Sequence, residues 1–86
     1  MKELERSLKA LANRRRLAIL KLIKEKREKT VSELARDIDL SIKSTSRHLA
    51  VLLGADVVER EQRGLEMYYR LSKQHNSATR HILTLL

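Results

Sequence analysis

The alternation of apolar and polar positions is most informative between residues 40 and 54. A helical rotation of about 100° per residue places four side chains within one stripe about 80° wide, formed by Ile42, Thr45, Leu49 and Leu52. Ser41 is a candidate N-cap, and Gly54 can take the left-handed conformation that ends many helices. The pattern predicts a helix with one buried stripe and an outer face that carries Lys43, Ser44 and Arg47.

Two helices are predicted ahead of this region. The first covers residues 2–12 and carries a narrow apolar stripe at the i, i+4, i+7 spacing, formed by Leu4, Leu8 and Leu11. Such a stripe suits docking on the body of the protein or on a partner subunit. Asn13 is a candidate N-cap for the second helix, which runs to about Lys26 and has apolar residues around much of its circumference, as in a central helix.

A capping box predicts a short third helix. Thr30 and Glu33 have the residue types and spacing in which each side chain binds the other residue's backbone amide. This helix runs to about Ile38, and residues 24–29 before it are predicted to be a helix end and a solvated turn. A short helix, a tight turn and a longer helix with a basic outer face form a helix-turn-helix, whose second helix enters the major groove of DNA.

After Gly54 the apolar period changes to that of strands. Residues 57–61 and 65–71 are predicted to be two strands, joined by a turn at Gln62-Arg63-Gly64. This hairpin is a wing. Arg63 at its tip is expected to reach a DNA phosphate or the minor groove, and an ordinary solvated turn residue is the alternative.

The last predicted helix covers residues 73–86 and has a stripe formed by Ala78, Ile82 and Leu85. With the leucines of the first helix, this stripe indicates a dimer interface on a two-fold axis. The predicted fold class is mainly α with a small β-hairpin (α+β). It is a winged helix-turn-helix, one domain over residues 1–86, homodimeric through its first and last helices.

The charge is strongly positive and unevenly distributed. The formal net charge is +8, and residues 1–30 supply +7 of it through eleven Lys and Arg residues against four Glu. Such a domain is attracted to polyanions, nucleic acid before anionic membrane, although a charged surface on a soluble protein is the simpler interpretation. Arg14, Arg15 and Arg16 oppose the dipole of the second helix in its first turn. A bound phosphate would relieve that conflict, and a solvated basic corner is the alternative.

Composition removes several classes of function. Cysteine is absent, which rules out disulfides, thiolate metal sites and cysteine-based sensing. No apolar run is long enough to span a membrane and no secretory signal is visible, so a cytoplasmic protein is expected. There is no Ser–His–acid arrangement, paired carboxylate or Gly-rich phosphate loop, so neither an enzyme nor a cofactor is expected. Without Phe or Trp, the core is expected to consist of Leu, Ile, Val and Ala.

Four segments in order resemble the ArsR/SmtB family of winged-helix repressors. Residues 11–20, LANRRRLAIL, are similar to the family's LADPTRLRIL, and residues 31–35, VSELA, resemble its third helix. Residues 40–52 are similar to its recognition segment LSxxxxSRHLxxL, and residues 67–71, MYYRL, resemble the end of its wing. The resemblance covers about residues 8–72, which is most of the chain.

The resemblance implies a homodimeric transcriptional regulator of double-stranded DNA, in a family often released from its operators by metal ions. It implies one recognition helix per subunit in the major groove. The groove-facing side chains would be Lys43, Ser44, Ser46 and Arg47, with Arg63 on the wing and Arg14 and Arg15 as candidate phosphate contacts. His48 matches the family's His, and its place at the edge of the buried stripe predicts a structural role or a backbone contact.

The chain departs from the family pattern at the sensor positions. Thr30-Val31-Ser32 stands where arsenic- and cadmium-sensing members carry Cys-x-Cys. On the last helix, where zinc-sensing members have several ligands, only His75 and His81 are available. On a continuous helix they point about 240° apart, so they cannot chelate one ion together within a subunit. No metal site is expected, surface histidines are favoured over a site across the dimer, and the effector is unknown.

Three hypotheses follow. The favoured one is a dimeric, sequence-specific DNA-binding regulator, expected to be a repressor, that binds an inverted repeat. The second is a non-specific architectural or nucleoid protein, which the basic first thirty residues would suit. The third is a winged-helix module for protein–protein contact. Binding to promoter-region and unselected duplexes discriminates among them.

Overall fold

The computed structural model describes all of residues 1–86, as five helices and a three-stranded antiparallel sheet. The helices are α1 (Lys2–Leu11), α2 (Arg14–Lys26), α3 (Val31–Asp37), α4 (Ile42–Gly54) and α5 (Ser77–Thr84). The strands are β1 (Glu28–Thr30), β2 (Val58–Arg63) and β3 (Glu66–Leu71), in the sheet order β1-β3-β2. This arrangement confirms the predicted fold class. None of the five helices has both the length and the apolar character that crossing a membrane requires.

The core lies where α2 meets α3, α4 and the sheet. It consists of aliphatic side chains, as predicted, and also includes one aromatic side chain, that of Tyr69. Tyr69 is buried because β3 is the central strand and turns this residue inward. The buried cluster is formed by Ala10, Leu11, Ile19, Leu20, Ile23, Leu34, Leu49, Leu52, Val57, Val58, Tyr69 and Leu83.

Side-chain caps begin the three central helices, α2, α3 and α4. The Asn13 side chain accepts hydrogen bonds from the amides of Arg15 and Arg16 at the start of α2. The predicted capping box of Thr30 and Glu33 is present at α3. Ser41 caps α4 by accepting from the amide of Ser44 at 3.0 Å. These three caps confirm the predicted helix starts, because each depends only on residues within one turn.

The segment before α3 differs from the prediction. Residues 28–30 form strand β1, not a solvated turn, and pair antiparallel with residues 68–70 of β3. A three-residue strand is too short to show a period of two, and the partner that stabilises it lies about forty residues away in the sequence.

The end of α4 also differs. Gly54 remains within the helix and does not take the left-handed conformation; Asp56 takes it instead, at φ 58°. The amide of Ala55 still bonds to the carbonyl of Val51, so the helix continues past Gly54 before the chain turns.

The wing and the last helix are shifted from their predicted bounds. The strands are joined at Gly64 (φ 59°) and Leu65, so Arg63 lies in β2 and not in the turn. The last helix begins at Ser77, because Asn76 caps it by accepting from the amide of Thr79. Thr79 and Leu83 face the core, whereas Leu85 of the predicted stripe is 71% exposed.

Candidate nucleic-acid interface

The inner face of α4 fixes the direction of its outer face. Thr45, Leu49 and Leu52 are fully buried, and the Thr45 hydroxyl donates to the carbonyl of Ser41 at 2.8 Å. The predicted stripe is one residue too long, because Ile42 is 57% exposed. The first turn of α4 therefore extends beyond the core, which leaves the N-terminal end of the helix accessible.

The outer face of α4 carries Lys43, Ser46 and Arg47, all exposed. Neither Lys43 nor Arg47 forms an ion pair. The rotation argument placed Ser44 on the outer face and left Ser46 out of it, whereas Ser44 is half-buried at the flank and Ser46 lies on the open face. Ala50 is exposed on the same face, and its small side chain would let a large partner approach closely. Sequence reasoning missed Ala50 because alanine suits either face of a helix.

The three arginines at the start of α2 separate into two groups. Arg14 and Arg15 are exposed and form no ion pair, so they can meet an anion at this helix end. Arg16 folds back into the molecule, where it donates to the carbonyls of Lys9 and Ala10 and lies 3.2 Å from Nδ1 of His48. It therefore fits neither of the two interpretations, a phosphate contact or a solvated corner.

The side chain of His48, on α4, is half-buried against Arg16 of α2. Burial, and then the positive charges of Arg16 and Arg15, lower the pKa of its imidazole below the ordinary value of 6.5. The neutral ring accepts from the Arg16 guanidinium through Nδ1, which assigns its proton to Nε2. His48 thus has the structural environment expected from the edge of the stripe.

Arg63 does not occupy the position predicted for it. Its guanidinium donates to both carboxylate oxygens of Glu28, at 2.5 and 2.8 Å, and to Glu61 at 3.2 Å, and it lies 4.5 Å from the ring centre of Tyr68. Hydrogen bonds from Arg63 and Arg70 lower the pKa of Glu61 to about 2. The prediction placed Arg63 at the tip because it ended the first strand of the wing at residue 61, two residues too early.

The other face of the wing carries a different basic residue, Arg60. Arg60 lies three residues before Arg63, which puts it on the opposite side of β2. It is exposed and forms no ion pair. Sequence reasoning missed Arg60 because only the pairing of the strands shows which arginine the acidic residues neutralise.

Comparison with known proteins is consistent with this geometry. The family described as "Helix-turn-helix domain" matches residues 11–61, which run from the end of α1 into the wing. The structure of HlyU from Vibrio cholerae superposes with a TM-score of 0.83 at 31% identity, over 98% of this chain and 87% of that one. The homodimeric winged helix-turn-helix DNA-binding domain of Mb0332 from Mycobacterium bovis, a possible ArsR-family transcriptional regulator, also gives 0.83, at 30% identity over 98% of this chain and 74% of that one.

The chain belongs to the ArsR family of winged helix-turn-helix transcriptional regulators. A curated relative, the arsenical resistance operon repressor of Bacillus subtilis, is 28% identical over 74 residues, which are 86% of this chain and 70% of the relative. The residues that match the helix-turn-helix family include all of α3 and α4.

The ArsR-family chain exposes apolar side chains on its terminal helices. Leu4 and Leu8 of α1 are 36% and 44% exposed, and with Met1 and Ala12 they line a shallow apolar depression. Leu11, the third leucine of the predicted stripe, is buried in the core instead. Leu85 adds exposed apolar surface at the end of α5.

The two candidate histidine ligands do not share a helix in this ArsR-family chain. His75 lies in the loop before the Asn76 cap, whereas His81 lies within α5, so the rotation argument does not apply to them. No three His, Asp or Glu side chains lie close enough together to hold a metal ion.

Proposed function

We propose that this ArsR-family chain is a homodimeric repressor that binds an inverted repeat in double-stranded DNA, with one α4 helix in the major groove of each half-site. The observation that carries the proposal is the open face of α4. Its two basic side chains, Lys43 and Arg47, have no partner within the protein. The second helix of a helix-turn-helix is the element that enters the major groove.

The proposed contacts on α4 divide by chemistry. Arg47 has the planar donor pair that a guanine edge accepts, and Lys43 can donate to the same base or to a phosphate. Ser46 lies on the open face beside them, and Ser44 at the flank suits a phosphate oxygen better than a base edge. Ala50 leaves room for the groove wall.

The proposed backbone contacts lie on either side of α4. Arg14 and Arg15 combine positive charge with the positive end of the α2 dipole, an arrangement that favours a phosphate. On the wing, Arg60 is the proposed phosphate contact. Arg63 reaches DNA only by exchanging the carboxylate of Glu28 for a phosphate, so we assign it the smaller contribution.

The proposed dimer uses the exposed leucines of α1 together with α5. A dimer buries Leu4, Leu8 and Leu85. In a single subunit these side chains are exposed, and apolar surface in water is unfavourable in free energy. A two-fold axis through these helices presents two copies of α4 to two half-sites of opposite direction. The homodimeric Mb0332 domain supports this assembly, and the repressor of Bacillus subtilis supports the assignment as a repressor.

The proposed repressor does not use the family's metal sensors. Thr30 and Ser32 offer hydroxyl groups where thiolates would be needed, and the Thr30 hydroxyl is already engaged in the capping box. Release from DNA would then depend on something other than a thiolate-bound ion at α3.

The test is fluorescence anisotropy with the promoter-region duplex of the chain's own gene and an unrelated duplex of equal length, over a series of salt concentrations. The proposal predicts about a thousandfold or greater preference for one sequence at physiological salt. Equal affinity for both duplexes, with a steep salt dependence, would instead indicate an architectural protein. Failure to bind either duplex at low salt would indicate a protein–protein module.

A further inference from the structure

The side chain of Arg16 joins three helices. From the first turn of α2, its Nε donates to the carbonyl of Ala10 at 2.5 Å and its Nη2 donates to the carbonyl of Lys9 at 3.1 Å. Its Nη1 lies 3.2 Å from Nδ1 of His48, near the middle of α4. All three nitrogen atoms of the guanidinium are therefore engaged, with the end of α1 on one side and the recognition helix on the other.

These acceptors are suited to a guanidinium. Lys9 and Ala10 lie in the last turn of α1, where the carbonyls have no amide of their own helix to bind. The positive charge of Arg16 also interacts favourably with the negative end of the α1 dipole. His48 can accept only while its Nδ1 is unprotonated: its lowered pKa favours the neutral ring, and the donating guanidinium of Arg16 favours the tautomer with its proton on Nε2. A lysine has one nitrogen and cannot bind three acceptors that are spread over this fork.

A second arginine supports the same connection. Nη1 of Arg6, on α1, donates to the carbonyl of Gly54 at the end of α4, at 3.1 Å. Between these two points, α1 and α4 border an open groove that Val51 and Lys9 line. Two arginine side chains therefore add polar connections between α1 and α4 to the apolar core that Ala10 and Leu11 of α1 share with Leu49 and Leu52 of α4.

The same helix, α1, carries the leucines of the proposed dimer interface on another face. We propose that Arg16 is a positioning residue that holds the recognition helix at a set distance and angle from the dimer helix, and thereby fixes which spacing between half-sites the dimer accepts. This inference rests on the proposed function as a dimer on an inverted repeat.

The test compares half-site spacings. The operator selected from a random duplex library is prepared with its natural spacer, with spacers one base pair longer and shorter, and as an isolated half-site. Wild type is expected to prefer the natural spacer clearly over both altered ones. Arg16→Lys is expected to lose most of that preference, while its affinity for the half-site and its salt dependence stay those of wild type, because no DNA contact has been removed.

Matched variants separate positioning from charge. Arg27→Lys makes the same change at the other end of α2, where the arginine is exposed, has none of these contacts and lies outside the proposed DNA and dimer contacts, and it is expected to keep the spacer preference. His48→Asn offers an amide oxygen near the position of Nδ1 and is expected to keep the spacer preference. His48→Ala offers no acceptor and is expected to lose that preference. The His48 pair carries the test if Arg16→Lys does not fold, as judged by its thermal melting.

Several outcomes would overturn the inference. An Arg16→Lys protein with the wild-type spacer preference shows that Arg16 does not set the spacing. A loss of half-site affinity with a smaller salt dependence shows that Arg16 contacts a phosphate instead. A wild-type protein that binds all spacers equally refutes the proposed two-site function itself, and that result is seen before any variant is made.

Discussion

Arg47 lies on the exposed face of α4, where it forms no ion pair and its guanidinium is available to a base edge. Arg47→Ala should weaken binding to the operator by about 1–3 kcal/mol and relax the preference at one base pair, because a bidentate contact to guanine would be lost. Anisotropy titrations with the operator and with single-base variants measure both effects.

The control for this prediction is Arg80→Ala, which removes another exposed, unpaired arginine, from α5, outside the helix-turn-helix. It should leave the base preference unchanged. Equal losses for the two variants would mean that Arg47 contributes only general positive charge.

His48 should make the stability of the protein depend on pH. Its pKa is lowered in the folded state, so the unfolded chain takes up this proton first as the pH falls below about 6.5. The contribution of His48 to the free energy of unfolding is therefore complete above that pH and declines below it, until the folded protein is protonated as well. Urea unfolding at pH 7.5 and 5.5 should show a larger decline for wild type than for His48→Asn, in which His75 and His81 are unchanged. An equal decline in both proteins would refute this assignment.

At the scale of single residues, the sequence predicted what depends on near neighbours. Asn13, Thr30 and Ser41 cap their helices as expected, since cap and amide lie within four residues of each other. The partners of Arg16 and Arg63 were not predictable in this way. His48 lies 32 residues from Arg16, and Glu28 lies 35 residues from Arg63, so only the folded chain brings these groups together.

At the scale of elements, the two glycines have opposite roles. Gly64 needs a positive φ in the hairpin turn, so Gly64→Ala should destabilise the protein by about 1–2 kcal/mol. Gly54 is helical, and an added Cβ would meet no atom within 4 Å, so Gly54→Ala should stabilise by roughly 0.5–1 kcal/mol. Chemical denaturation of the two variants measures both changes. Destabilisation by Gly54→Ala would show that the end of α4 needs glycine after all.

The wing offers a contrast between two arginines. Arg60→Ala should weaken binding to all duplexes alike and reduce the slope of log affinity against log salt by about 1, as the loss of one phosphate contact does. Arg63→Ala should change the slope less, because Arg63 is already paired with Glu28 and Glu61. Titrations of one duplex at several salt concentrations compare them. The reverse order would show that Arg63 leaves its carboxylates on binding DNA.

The positions of the elements were predicted better than their ends. The helix-turn-helix was recognisable because α3 and α4 carry start signals and a clear apolar stripe. Strand β1 was missed because its three residues are stabilised by β3 and not by their own pattern. The histidines were assigned to one helix because the cap at Asn76 lies inside a stretch that otherwise suits a helix.

At the scale of the whole molecule, the exposed leucines of α1 should hold two subunits together. Leu8→Glu places a charge in the proposed interface and should yield a monomer in sedimentation equilibrium, with reduced affinity for the full operator and little change for an isolated half-site. Leu65→Glu makes the same change at a fully exposed leucine in the wing turn and should leave the mass of the assembly unchanged. A Leu8→Glu protein with the mass of wild type would place the interface elsewhere.

The proposed function requires that two copies of α4 recognise one DNA sequence together. Selection of bound duplexes from a random library, followed by sequencing, tests it most directly. Two α4 helices related by a two-fold axis should select one enriched motif made of two half-sites in inverted orientation, with centres about one helical turn apart or a multiple of it. A pool with no enriched motif, recovered from a protein that binds DNA tightly at low salt, would contradict it.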